Sequence, residues 1–142
     1  MRRLLLDANV LFSAAVSPAG AAAGLLALAS EGACELMTSA FAVTGAARNL
    51  RANAPTAMDR WDRVRAAVAV VPEADPRLPK RAGAALPEKD RPILAAALAC
   101  RATVLVTGDR RHFGPLFGHA FGGTVVLPPR AALARPLADL DP

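Results

Sequence analysis

Residues 2–15 read RRLLLDANVLFSAA: two arginines and three leucines, then Asp7 and Asn9 before apolar residues resume. A basic start, an apolar run and the small-residue stretch AAVSPAGA imitate a secretory signal. Such a signal needs an unbroken apolar run of about 7–15 residues, whereas this run is broken after residues 4–6. The stretch therefore reads as a short buried strand, residues 3–6, with a carboxylate set at its end. No other segment offers the roughly 20 uncharged apolar residues of a membrane span, so no membrane association and a cytoplasmic location are expected.

The 142 residues suit one domain with a single core. A hydrophobic fraction of 54% and a mean hydropathy of +0.30 exclude a disordered chain. Cys34 and Cys100 have neither the spacing of a zinc site nor the density of a disulfide framework, and read as buried thiols in a reducing compartment. The formal charge is +5, and apart from Lys80 and Lys89 every basic residue is arginine. Arginine's planar fork suits phosphate. A GC-rich coding sequence also writes arginine for lysine, so charge alone only tilts the reading toward nucleic acid.

Along the chain, apolar runs alternate with helix-like stretches. PAGAAAGLLALASEG (18–32) predicts a helix closing at Gly32, CELMTS (34–39) a strand, and AFAVTGAARNLRAN (40–53) a helix weakened by Gly45 and ended by Pro55. TAMDRWDRVRAAVA (56–69) places Met58, Trp61, Val64 and Val68 on one helical face, and VAVVP (68–72) follows as a strand. After a Pro-rich loop at 72–87, DRPILAAALACR (90–101) predicts a helix with Asp90 as its cap and Pro92 in its first turn. TVLVTGD (103–109) reads as a strand, RRHFGPLFG (110–118) as a short irregular helix, and GTVVL (123–127) as the last strand; the Pro/Ala-rich tail from Pro128 reads as partly loose. Short continuous apolar strands alternating with helices predict an α/β fold, a parallel sheet covered on both faces.

In such sheets ligands bind at the carboxyl ends of the strands, near the switch in strand order. Asp7 follows LLL, Asp109 follows VLVTG, and Asp90 opens the helix that feeds the second of these strands. Each has an ordinary role open to it: an Asx-turn for Asp7, a helix cap for Asp90, a turn for Asp109. Together they propose three carboxylates converging on one spot, which is costly unless cations neutralise them. Hard oxygen ligands suit Mg²⁺ or Mn²⁺. An ion held there would activate a water toward a phosphodiester, and a second could stabilise the leaving oxygen.

These same stretches, LLLDANVLFSA (4–14), LPEKDRPILAAAL (86–98) and VLVTGDRRHF (104–113), resemble the PIN domain family, including its bacterial VapC-like toxins. The resemblance runs over about residues 2–128. It implies a three-layer α/β/α fold with a central parallel sheet of about five strands. It also implies a Mg²⁺- or Mn²⁺-dependent endoribonuclease acting on RNA, often paired with a cognate antitoxin and often a homodimer. The family's acidic site residues carry over to Asp7, Asp90 and Asp109 as catalytic and metal-binding residues, with Asn9 and Thr107 as supporting polar neighbours. The family usually has a further acid on the helix after the second strand, just before an ARNL-like stretch. Here Gly45 stands at or beside that place, and no acid lies between Glu35 and Asp59. A catalytically weakened RNA- or partner-binding module therefore stays open as the alternative.

Other phosphoryl-transfer folds fit less well. A haloacid-dehalogenase-type phosphatase wants a second acid where Asn9 stands, and a receiver domain wants paired acids near the first strand and a lysine after a late one. Arg48, Arg51, Arg60, Arg63, Arg65, Arg110 and Arg111 could line an RNA path. Arg60 and Arg63 have aspartates nearby and read as a solvated helix face, which leaves Arg110 and Arg111, directly after Asp109, as the better RNA-binding candidates. Glu88 reads as a solvated loop charge. His112 and His119 have no cysteine or histidine partners and do not read as zinc ligands. Trp61 reads as a core anchor, and with no tyrosine in the chain aromatic recognition of bases is poorly supported.

Overall fold

The computed structural model describes residues 2–75, 77 and 86–134. Strands β1 (Arg2–Leu6), β2 (Cys34–Ser39), β3 (Ala69–Val71), β4 (Val104–Val106), β5 (Ala120–Phe121) and β6 (Thr124–Leu127) form one sheet. Their order is β3-β2-β1-β4-β6-β5, and every pairing is parallel except β5 with β6. Helices α1 (Ala8–Val16), α2 (Ala21–Ser30), α3 (Ala40–Asn53), α4 (Met58–Ala66), α5 (Arg91–Ala99) and α6 (Pro129–Ala134) flank it in a three-layer α/β/α arrangement. No single described helix is long and apolar enough to cross a membrane.

The leucine run of β1 explains this order. A strand paired on both edges and covered on both faces has no side to offer water, so its apolar residues run on instead of alternating. Leu4 sits between Leu36 and Val104, and Leu5 between Met37 and Leu105. All of these are buried. At the edge the rule relaxes, and β3 is largely exposed.

The described elements refine, extend and in places correct the sequence reading. The stretch after Asp7 is a helix: α1 buries Val10, Leu11, Ala14 and Ala15, a helical spacing that the polar pair Asp7 and Asn9 obscures. It ends at Ser17, since the residue before a proline is pushed out of the helical region, and α2 leaves at 90°. The 18–32 helix therefore shortens to Ala21–Ser30, with Gly32 past its end at φ +78° as expected. The 56–69 helix divides into a 3₁₀ turn, Pro55–Ala57, and α4. Trp61, Val64 and Val68 are buried, and Met58 packs half-buried against them. Arg60 is not on a solvated face, because its Nε donates to the Ala15 carbonyl at the end of α1. Among the described residues the expected parallel sheet of about five strands is present as β3-β2-β1-β4-β6, and Gly122 and Gly123, both at positive φ, turn the short β5 back onto β6 as an antiparallel sixth. Residues 110–118 form a turn and a 3₁₀ helix, Gly114–Leu116. The tail opens with α6, to whose Ala132 carbonyl the buried Arg2 guanidinium donates. Residue 76, residues 78–85 of the Pro-rich loop and the tail from 135 lie outside the described residues.

Because β1 is packed on every side, truncation there leaves a cavity that cannot collapse. Leu5→Ala, at a fully buried position, is expected to cost about 2–5 kcal/mol, read as a lower urea midpoint at unchanged slope. A loss below about 1 kcal/mol would contradict the central placing of this strand.

Candidate active site

The sheet changes direction between β1 and β4: from β1 the chain winds toward β2 and β3, from β4 toward β6. The two strands are parallel neighbours, so their carboxyl ends meet. The Asp7 backbone N–H donates to the Val106 carbonyl, bringing Asp7 and the Thr107-Gly108-Asp109 turn side by side. Asp90 arrives from the third direction, at the end of a 3₁₀ turn (Glu88–Asp90) that leads into α5.

All three aspartates line one cavity of about 360 Å³, shared with Phe41, Gly45 and Asn49 of α3. Asp7 is the most tightly held. Its Oδ1 accepts from the Ala8 N–H at 2.8 Å, capping α1. Its Oδ2 accepts from the Thr107 hydroxyl at 2.8 Å and from Asn9 Nδ2 at 3.3 Å. Asn9 Oδ1 accepts from the Gly108 N–H at 2.7 Å. A Cβ on residue 108 would stand 3.2 Å from that oxygen, so glycine spares Asn9 a small displacement. Burial is the main cause that raises the Asp7 pKa above 3.8, and repulsion from Asp90 and Asp109 adds to it against the Thr107 and Ala8 hydrogen bonds.

Asp90 occupies the cap position of α5 but makes no capping hydrogen bond. Its Oδ2 lies 2.8 Å from His112 Nδ1, and Asp109 Oδ2 lies 3.1 Å from the same nitrogen. Asp109 Oδ1 is turned away to accept from the His112 backbone N–H at 3.0 Å. Ligand atoms of Asp90, Asp109 and His112 lie within 4.8 Å of one another. Asp7 shares the cavity but stands outside that tight group. Asp90 Oδ2 and His112 Nδ1 are both buried and neither makes an aligned hydrogen bond. Two carboxylate oxygens and an imidazole nitrogen brought this close, with no aligned hydrogen bond at Asp90 Oδ2, fit a divalent cation.

Sequence reasoning did not bring His112 or Phe41 to the site. Asp109 and His112 are three apart in a turn, a spacing that puts them on one side; without the turn, His112 is one polar residue in a basic stretch. Phe41 is 68% exposed at the cavity mouth. Arg110 and Arg111 are exposed beside Asp109, Glu88 is exposed, and His119 is exposed away from the cluster.

A family model described as PIN domain matches residues 3–111. The chain belongs to the PIN domain family. No match was found among curated proteins. PIN domains are generally nucleases and typically use divalent metals, and the acidic group at the β1/β4 switch point is a possible metal-binding group of that kind. His112 lies one residue beyond the matched stretch.

The raised pKa of Asp7 links pH to stability, and would link it to the binding of any metal held there. A carboxyl whose folded pKa exceeds its unfolded value contributes stability that is fully present below the unfolded value and lost as pH rises through the folded one. This group should therefore favour the metal-free fold increasingly as pH falls from neutrality toward about 4, while ions that need the carboxylate bind less tightly. Thermal midpoints measured with Mn²⁺ and with EDTA should converge over that window. A gap that stays constant would remove Asp7 from the metal's neighbourhood.

Proposed function

We propose that this PIN domain is a metal-dependent endoribonuclease, the toxin half of a toxin–antitoxin pair, hydrolysing phosphodiesters in single-stranded RNA. The observation that carries the reading is the convergence of Asp7, Asp90 and Asp109, from two strand ends and one helix start, on a single cavity. These residues would hold Mg²⁺ or Mn²⁺, which when bound supplies Lewis acidity toward phosphate oxygens and makes water a better nucleophile at neutral pH. Asn9 and Thr107 aim the Asp7 carboxylate by donating to it. Arg110 and Arg111, exposed beside Asp109, would take flanking phosphates. Phe41 offers one unstacked base an aromatic face at the cavity mouth. The toxin role, a cytoplasmic location, a cognate antitoxin and a homodimer rest on the VapC-like character of the three motifs. A neighbouring reading frame encoding a small DNA-binding protein would support them.

One observation favours a second reading, a weakened PIN domain that binds RNA or a partner more than it cleaves. Gly45 lines the same cavity as the three aspartates, so the place of the usual helix acid faces the site and carries no ligand.

Cleavage of single-stranded RNA should require Mn²⁺ or Mg²⁺ and stop with EDTA. Asp90→Asn should lose at least the roughly 10–100-fold that removing even an outer partner of a metal ligand costs. Undiminished cleavage by that variant would end the proposal. Binding should weaken linearly with the logarithm of salt concentration, with a slope near −0.7 per phosphate contact on single strands. Replacing both Arg110 and Arg111 by alanine should flatten that slope by about one to two contacts, and an unchanged slope would clear them of any part in binding.

Gly45→Glu separates the two readings. A Cβ there meets only the Ala8 Cβ, at 3.8 Å, an ordinary contact, and Gly45 lines the open cavity. If the position lacks a ligand, the variant should bind metal more tightly and cleave faster than wild type. Gly45→Gln is the control, because replacing a mid-helix glycine stabilises by up to about 1 kcal/mol regardless of charge. Equal behaviour of Glu and Gln would mean that Gly45 marks no missing ligand.

A further inference from the structure

We infer that His112 is a metal ligand in this site, giving it a mixed nitrogen and oxygen ligand set that favours Mn²⁺ over Mg²⁺; the inference rests on the metal-dependent reading above. Two ligands at adjacent corners of an octahedral ion with bonds of about 2.1 Å are about 3.0 Å apart. The distances from His112 Nδ1 to Asp90 Oδ2, 2.8 Å, and to Asp109 Oδ2, 3.1 Å, match that edge. The alternative is that His112 merely bridges the two carboxylates as a hydrogen-bond donor. One ring N–H points in one direction and cannot serve two acceptors well, and at Asp90 Oδ2 there is no aligned hydrogen bond at all. A cation held by Nδ1 and the two Oδ2 atoms would account for both short contacts at once.

The local chain is built to hold this geometry. Phe113, fully buried, anchors the turn, and its N–H donates to the Asp109 carbonyl. The His112 N–H fixes Asp109 Oδ1, which leaves Oδ2 for the site. His112 contacts Asp90 and Asp109 from outside the wall that Gly45 lines, so it adds a nitrogen beside those two carboxylates and leaves the place of the missing α3 acid unfilled. Imidazole suits later first-row ions best; of the two oxygen-binding ions, Mn²⁺ accepts a nitrogen donor more readily than the smaller, harder Mg²⁺, which keeps carboxylates and water.

The test is Mn²⁺ binding to the full, untagged chain, followed by electron paramagnetic resonance and calorimetry without RNA. Bound Mn²⁺ should show hyperfine coupling to an imidazole nitrogen that changes on labelling histidine with ¹⁵N and disappears in His112→Ala. In that variant and in His112→Gln the Mn²⁺ affinity should fall on the order of tenfold or more, and more than the Mg²⁺ affinity. The thermal midpoint without metal serves as the check on folding. Bound Mn²⁺ with no nitrogen coupling in wild type, or variants with an unchanged ratio of Mn²⁺ to Mg²⁺ affinity, would overturn the inference. Nitrogen coupling in a protein that cleaves no RNA would sink the ribonuclease reading and keep the ligand; no Mn²⁺ binding at all would sink both.

Discussion

The parallel pairing of β1 with β4 is the constraint on which the site depends. It places Asp7 and Asp109, about a hundred residues apart in the chain, at neighbouring strand ends. Thr107 then works in three directions: its hydroxyl donates to Asp7 Oδ2 and accepts from Asn9 Nδ2 and from the Asp109 N–H. Strand order supplies the neighbourhood, and this small network supplies the aim. A sheet with another strand between β1 and β4 would keep every motif and have no site.

That arrangement works against stability. Burial and two neighbouring carboxylates oppose ionisation of Asp7, and the hydrogen bonds from Thr107 and Ala8 offset only part of this, because its pKa stays raised. The core carries the difference: β1 and β4 are buried from Leu4 to Leu6 and from Val104 to Val106. A ligand that binds only the folded chain adds stability by mass action, so a divalent ion would relieve the repulsion around Asp7.

Much of this was legible in the sequence because it followed from local rules. The run LLLD is a buried strand ending in a carboxylate, Gly32 stops a helix, and the alternation of elements fixes a mostly parallel sheet. Placement of Asp7, Asp90 and Asp109 on one rim needed only those rules and the direction of a helix. The rest was hidden where a local signal had two readings. In α1, polar residues at the helix start masked an apolar spacing that begins only at Val10. Arg60 looked solvated because its partner is a backbone carbonyl 45 residues away, which no neighbouring side chain announces. His112 was invisible as a site residue because its meaning depends on a turn anchored by Phe113 and on Asp90, which approaches from another part of the chain.

The charge around the cavity is also unevenly spread, and this bears on how many ions it can hold. Its carboxylates stand at the strand ends and the start of α5, while the α3 wall offers Phe41, Gly45 and Asn49, none of them charged. Lys89, beside Asp90, is the one basic side chain among the described lining residues. Three carboxylates against one ammonium leave two negative charges, which a single divalent ion neutralises. A second ion would have to sit toward an uncharged wall, repelled by the first and facing no anionic ligand of its own. Two-ion catalysis needs a clamp on both the attacking and the leaving oxygen. With one charged wall, the cavity's own charges would balance one divalent ion, and a phosphodiester bound there would meet only uncharged side chains on the α3 side.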